Sequence, residues 1–433
     1  MSVRQRTAAA AVVALGVTVA LAGCGLSAPP AATADISGEV EGTITFQTMQ
    51  LSPTFDDYIN GVISDFEKAN PGTTVKWTDI PSDAATRKVS ADSVAGTLPD
   101  VMDLDTATMA PLGRTNRVLD MADVASDVEG DYVDSAWGSF NFGKTSVAAL
   151  PWYLNTPVLI SNTALLKSAG IDSEKPPASY EELAEVSQEI AEATGKAGFQ
   201  PTAIGFPNYL LSLGVPLVND DSTKAVVNTP EAVDFLQTLA DLYKSGGIPA
   251  DSVTAAQRSE IETFQEGGTA YLETGPSRLK IIQQNAPDLF TSLAVDEPLG
   301  EDAGNTWVVA HGLAVPTTSK NQATALAFAK YLTSSDSQLA LAQQSSVFPS
   351  TAASLEDDFF TAAPTDLATQ ARAIAGASLL EGKTLAKPAA VDSEFATTLW
   401  SSVQTAILGE TSPEDALDAA ETALTAMLQE REQ

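Results

Sequence analysis

The sequence predicts an α/β protein built as two lobes. Two observations carry this. Between Thr43 and Leu104 the hydropathy pattern runs strand, helix, strand, helix, strand, the order of a doubly wound α/β unit. Beyond the N-terminal segment roughly 400 residues remain, enough for two large cores, and their middle and end are mostly helical.

The elements follow in order. Ile44 and Phe46 alternate with Thr43, Thr45 and Gln47, which predicts a strand. Ile59, Val62, Ile63 and Phe66 share one face of a helix that Pro71-Gly72 ends. Val75, Trp77 and Asp79 alternate with Lys76 and Thr78 as a second strand. A helix over Arg87 to Val94 leads to Pro99-Asp100 and a short strand, Val101 to Leu104. Further on, Ser179 and Glu182 read as a capping box before the apolar stripe Tyr180, Leu183, Val186 and Ile190. Thr229-Pro230-Glu231 starts a helix carrying Val233, Leu236, Ala240 and Tyr243, and Gly246-Gly247 stops it. Ser412-Pro413-Glu414 opens a last helix with Leu417, Ala420, Leu424 and Met427 inside. There is no internal repeat.

The N-terminus carries a different signal. Arg4 and Arg6 precede an apolar run from Ala8 to Ala22, too short for the roughly 20 residues of a membrane span. It ends in Leu21-Ala22-Gly23-Cys24, which resembles the lipobox of bacterial lipoproteins. Residues 1–23 then read as a signal peptide and Cys24 as a lipidated first residue. Residues 24–38, with the small, Pro-containing GLSAPPAATADISG after the cysteine, read as a flexible tether. The competing readings are an ordinary signal peptide and an uncleaved anchor.

Composition excludes several chemistries. Cys24 is the only cysteine, so its acylation leaves no disulfide framework, no thiolate zinc site and no thiol nucleophile. With His311 as the single histidine, a multi-histidine metal site is excluded too, and no cofactor is expected. Losing Arg4 and Arg6 takes the formal charge from −33 to −35, which argues against nucleic acid as a partner.

Several segments, taken in order, resemble the extracytoplasmic solute-binding proteins of ABC transporters, the maltose-binding-like family 1. Phe66 to Val75 is similar to its F-E-x-x-N-P-x-x-x-V opening, and Gly96 to Val101 to its G-x-x-P-D-V. Pro151-Trp152-Tyr153 through Asn162 resembles the segment leaving the first lobe. Phe264 to Ala270 with Gly275-Pro276 resembles F-x-x-G-x-x-A … G-P, and Val315 to Asn321 resembles I-P-x-x-S-K-N. Leu408 to Leu417 also fits. The resemblance spans about residues 40 to 430. It implies a type II periplasmic-binding-protein fold, with ligand held in a cleft between lobes joined by three crossings. The crossings fall near Leu154–Val158, Val308–Leu313 and Val347–Ser350. The lobes become 39–154 plus 313–347 and 155–312 plus 348–433. A carbohydrate ligand, the permease subunits of an importer and a monomeric state are further implications.

Ligands of open α/β sheets lie beyond the carboxyl ends of strands. That places Gln47, Gln50 and Asp105 at the first lobe's share of a cleft. Asp105 can accept from two vicinal hydroxyls or, more plainly, cap a helix. The family commonly sets an aromatic and an acid or amide near the first crossing, here Trp152, Tyr153 and Asn155, though Trp152 and Tyr153 also suit a core. Trp307, near the second crossing, is the expected stacking platform, with Phe348 and Phe206 as further liners. Where family members often carry a tryptophan after G-P, this chain has Ser277 followed by Arg278. His311 reads as a structural histidine. Two rivals remain. The same architecture can hold a peptide, polyamine or phosphate ester. An exported hydrolase would have to use His311, yet no G-x-S-x-G occurs.

Overall fold

The computed structural model describes residues 34–431, apart from Lys144, 255–257, 301–305 and Ala389. The signal segment, Cys24 and the tether up to residue 33 lie outside the described residues. In chain order the strands are β1 (Gly42–Met49), β2 (Thr73–Ile80), β3 (Val101–Asp105), β4 (Leu150–Asn155), β5 (Val158–Asn162), β6 (Leu217–Val218), β7 (Ala225–Val226), β8 (Tyr271–Thr274), β9 (Leu293–Asp296), β10 (Thr306–Ala314), β11 (Phe348–Pro349) and β12 (Thr384–Ala386).

One large sheet has the order β11-β4-β10-β3-β1-β2, with β12 added beside β10. Its first strands are the doubly wound unit expected from the sequence. β1 lies between β2 and β3, parallel to both, in register from Gly42–Thr73 to Met49–Ile80. Ile44 and Phe46 are fully buried, as their alternation requires. The helix Asp56–Ala69 buries Tyr58, Ile59, Ile63 and Phe66 against this sheet's core. The next helix, Ser82–Ala95, begins five residues before the expected Arg87. Its N-cap is Pro81, which supplies extended backbone but no capping side chain.

β10 is the centre of the large sheet's second half. It runs antiparallel to β3 on one edge and β4 on the other, and β12 continues the β3 edge from Thr306 to Val308. The register shifts between His311 and Gly312. A Cβ on Gly312 would lie 2.6 Å from Phe140 Cζ and 2.9 Å from Ala149 Cβ, so only glycine lets the strand pass there.

A second, three-stranded sheet has the order β8-β5-β9, antiparallel throughout. The chain passes from the large sheet to this one between Asn155 and Val158. Residues Val308–Leu313 and Phe348–Pro349, by contrast, lie within β10 and β11 of the large sheet. The small sheet is covered on both faces, and its side chains divide accordingly. Val158, Ile160, Leu272 and Val295 join the core that runs under the large sheet. Leu159, Ala270 and Tyr271 join a second core, with the helices Tyr180–Thr194, Phe206–Ser212, Pro230–Ser245, Ser393–Ile407 and Pro413–Arg431.

Cap chemistry agrees with the sequence in kind and differs in detail. Ser179 accepts from Glu182 N, but the Glu182 carboxylate reaches one residue further back, to Ala178 N at 2.8 Å. The pair therefore tethers the incoming chain instead of closing a box. In Pro230–Ser245 the buried stripe is Ala232, Phe235, Leu236, Leu239, Ala240 and Leu242, with Val233 and Tyr243 at its edges. In the last helix Leu428 is buried and Met427 is partly covered, because a 3.6-residue period favours the 417–420–424–428 row.

Candidate functional site

The first residues of β10 stand between two cavities. The larger, about 620 Å³, is walled by Tyr180 and Leu183, by Gly205, Asn208 and Tyr209, by β8 from Tyr271 to Thr274, and by Trp307. Arg258, Glu260 and Arg278 also line it. Arg258 is engaged by Asp251 at 2.9 Å and Glu266 at 2.6 Å. The smaller, about 370 Å³, is lined by Val308 and Val309 of the same strand, by Asp105 to Thr108, and by Lys387 and Asp392 to Glu394.

The larger cavity's polar groups are unusual. Gln200 Oε1, Asn208 Oδ1 and Tyr271 Oη are buried without a hydrogen-bond partner. Buried polar atoms are almost always paired, and each orphan costs about 1–3 kcal/mol. The residues Gln200, Asn208 and Tyr271, beside a half-buried tryptophan, give the cavity a mixed wall suited to a polar ligand with apolar faces. Glu273 adds an acid to that wall. It accepts from Tyr180 Oη at 2.6 Å and from Leu299 N at 3.0 Å. Burial nevertheless pushes its carboxyl up to about 7, against the pull of those two donors.

In the smaller cavity two helices begin, Thr106–Arg114 and Ser393–Ile407. Asp105 caps the first through Thr108 N at 2.7 Å, and Asp392 caps the second through Phe395 N at 2.9 Å. Burial holds the Lys387 ammonium below the ordinary lysine value, although Asp392 and Asp105 draw it up.

The expected site residues are distributed unevenly. Trp307 lines the larger cavity and Asp105 the smaller, while Asn155, partly buried at the end of β4 and in register with Val309, lines neither. Asp105 is thus both a helix cap and a cavity residue. Trp152 is fully buried, edge-on to Phe46 and Tyr153. Phe206 is fully buried behind the larger cavity, against Phe235 and Trp400. Phe348 packs on Phe360 and borders a separate cavity of about 330 Å³ with Arg372. Gln47 is buried in β1, and Gln50 is exposed with φ 56°. Neither lines the two cavities around β10. Arg278 lines the larger cavity.

Tyr153 serves another cluster. Its ring stacks on His311 at 4.5 Å, and its hydroxyl lies 2.8 Å from Nδ1. The same nitrogen is 3.0 Å from Oδ1 of the fully buried Asp103. Burial works to lower the imidazole pKa, but Asp103, with Asp105 beyond it, raises it above its ordinary value. Sequence reading missed Gln200, Asn208, Tyr271, Glu273 and Lys387. Only Glu273 carried a signal: an acid two residues from a buried tyrosine in a strand, just before the Gly275-Pro276 already singled out.

A seven-stranded and a three-stranded sheet, joined by the short passage from Asn155 to Val158 and flanked by helices beside polar cavities, make a two-lobed fold of the solute-binding kind. The comparisons give it a family. Residues 52–339 match the bacterial extracellular solute-binding proteins, and the chain belongs to that family, whose members are extracytoplasmic binding proteins and not enzymes. A Deinococcus radiodurans relative named a probable ABC transporter-binding protein is 26% identical over 342 residues, 74% of this chain and 79% of the relative. The glycerol-3-phosphate-binding periplasmic protein UgpB of Shigella flexneri is 28% identical over 199 residues, 43% of this chain and 44% of that one. Among solved structures, a Synechococcus sp. MITs9220 protein carrying the name of an oligosaccharide periplasmic-binding protein superposes with a TM-score of 0.80 at 27% identity, over 90% of this chain and 99% of that one. The cyclic α-maltosyl-1,6-maltose binding protein of Arthrobacter globiformis shares the fold, at TM-score 0.76 and 20% identity over 90% and 100% of the two chains. No helix among the described residues is long and apolar enough to cross a membrane.

Proposed function

We propose that this protein is a lipid-anchored receptor that captures a mono- or oligosaccharide by lobe closure and delivers it to the permease of an ABC importer. The observation that carries the reading is the larger cavity, where Trp307 offers a face for sugar C–H groups and Gln200, Asn208, Tyr271 and Glu273 offer partners for hydroxyls. Asp105, in the smaller cavity beside Val308 and Val309, adds a carboxylate on the far side of β10. Lobe boundaries at 39–154 plus 313–347 and 155–312 plus 348–433 would make Leu154–Val158 one of the hinges.

The test is a calorimetric titration of detergent-solubilised full-length protein with maltose, maltotriose, tagatose and cyclic maltosyl-maltose. At least one should bind, and Trp307→Ala and Asp105→Ala should each weaken it by about 1–3 kcal/mol. Wild-type affinity in both variants would move the site away from β10. A phosphate ester is the second reading, favoured by the glycerol-3-phosphate-binding relative and by Lys387 in the smaller cavity. Tight binding of sn-glycerol 3-phosphate with no response to the sugars would replace the carbohydrate reading.

The anchor is tested separately. Cys24→Ala should move the protein from the membrane fraction to the medium with its ligand affinity unchanged. Retention in the membrane fraction would refute lipidation at that residue.

A further inference from the structure

We propose that Glu273 is a specificity-determining acceptor in the larger cavity, reading ligand hydroxyls as a carboxylate and giving up a proton when ligand binds. The inference rests on the carbohydrate reading above. Its geometry is local to β8, where Glu273 stands opposite Leu159 of β5 and is partly open to the cavity. One carboxylate oxygen accepts from Tyr180 Oη at 2.6 Å and the other from Leu299 N at 3.0 Å. Each oxygen has a second lone pair, so two further donors fit. Adjacent hydroxyls on a sugar ring are such donors. Tyr271 precedes it by two residues on the same strand and is among the residues lining the same cavity.

The acid has no cationic partner among the described residues. Of the two arginines lining the cavity, Arg258 is held by Asp251 and Glu266, and Arg278 is exposed on the helix Arg278–Asn285. Tyr180, Tyr209 and Tyr271 face the group from three elements, and burial holds all three phenols above their ordinary range, so they stay neutral. Glu260 lines the cavity, and Asp296, raised by burial, lies on β9 beyond Ser161. The carboxyl is therefore poised near pH 7 by burial. Donors from a ligand favour its charged form and pull that value down. Below it, binding must expel a proton, so affinity rises with pH through neutrality.

The experiment titrates the detergent-solubilised full-length protein with the best-binding of the four sugars, at about pH 6, 7 and 8, in buffers of low and high protonation enthalpy. Wild type should gain about tenfold in affinity from pH 6 to pH 8, with release of a fraction of a proton at pH 7. Glu273→Gln should hold one affinity across the range and release none. The wild-type measurement alone suffices if the variant does not fold. A wild-type affinity and proton count that do not change with pH overturn the inference and leave the carbohydrate reading standing. A slope that survives in Glu273→Gln does the same. Failure of every sugar to bind overturns both.

Discussion

Trp152→Ala should destabilise the fold by about 3–5 kcal/mol, the usual cost of emptying a buried tryptophan site. The ring is fully buried at the middle of an aromatic chain. It meets Tyr153 at 5.2 Å on β4 and Phe46 at 6.3 Å on β1. Phe46 meets Phe328 at 5.2 Å, and Phe328 meets Phe66 at 5.1 Å. The chain thus ties two strands of the large sheet to the helices Asp56–Ala69 and Gln322–Leu332. Core packing here is too dense to close over a missing indole. Denaturant unfolding followed by far-UV circular dichroism gives the number. Trp152→Phe, which keeps most of the contact, should cost much less. An alanine variant that unfolds at the wild-type midpoint would show that the indole holds no core together.

Asp103→Ala should also destabilise the fold in mild acid, by about 1–3 kcal/mol, because it removes the acceptor that holds His311 charged and leaves the buried Met49 N without its partner. Asp103 has no exposed surface and also accepts from Met49 N at 3.3 Å. The sign of the pH dependence follows from His311. Its folded pKa is raised above 6.5, so the pair's contribution is complete below that unfolded value and is lost as pH rises through the folded one. Wild type and variant should therefore differ most in mild acid and converge in alkali. Melting temperatures from about pH 5.5 to 9 read this directly. His311→Gln, which removes the titrating group, should flatten the difference. A gap that widens with pH would mean that His311 is neutral in the folded protein.

Much of this fold could be read locally. Ile44 and Phe46 declare a strand by alternation, Thr229-Pro230 and Gly246 bracket a helix by backbone chemistry, and each signal spans only a few residues. The site was legible only in part, for a physical reason. Trp307 and Asp105 lie at strand ends, a position that topology makes informative. Glu273 becomes distinctive only because Tyr180, 93 residues earlier, points a hydroxyl at it. Asp103 and His311 are 208 residues apart, and neither sits in a pattern that names the other. Trp152 shows the opposite failure. An aromatic at a crossing suits both a ligand platform and a core, and only its burial places it in the core.

β10 has a consequence for how a disturbance would reach the cavity wall. From His311 to Ala314 it is hydrogen-bonded through long neighbours and pinned where Gly312 passes Phe140 and Ala149. From Thr306 to Val308 it leans instead on the three residues of β12. One continuous strand is thus held by long partners at one end and by a short one at the other, where Thr306 and Val308 are buried and Thr156 Oγ1 donates to Trp307 O at 3.2 Å. Trp307 therefore takes its position in the cavity wall beside β12, the shortest strand of the large sheet other than β11, so a change in β12 would reach the indole before it reached the sheet's centre.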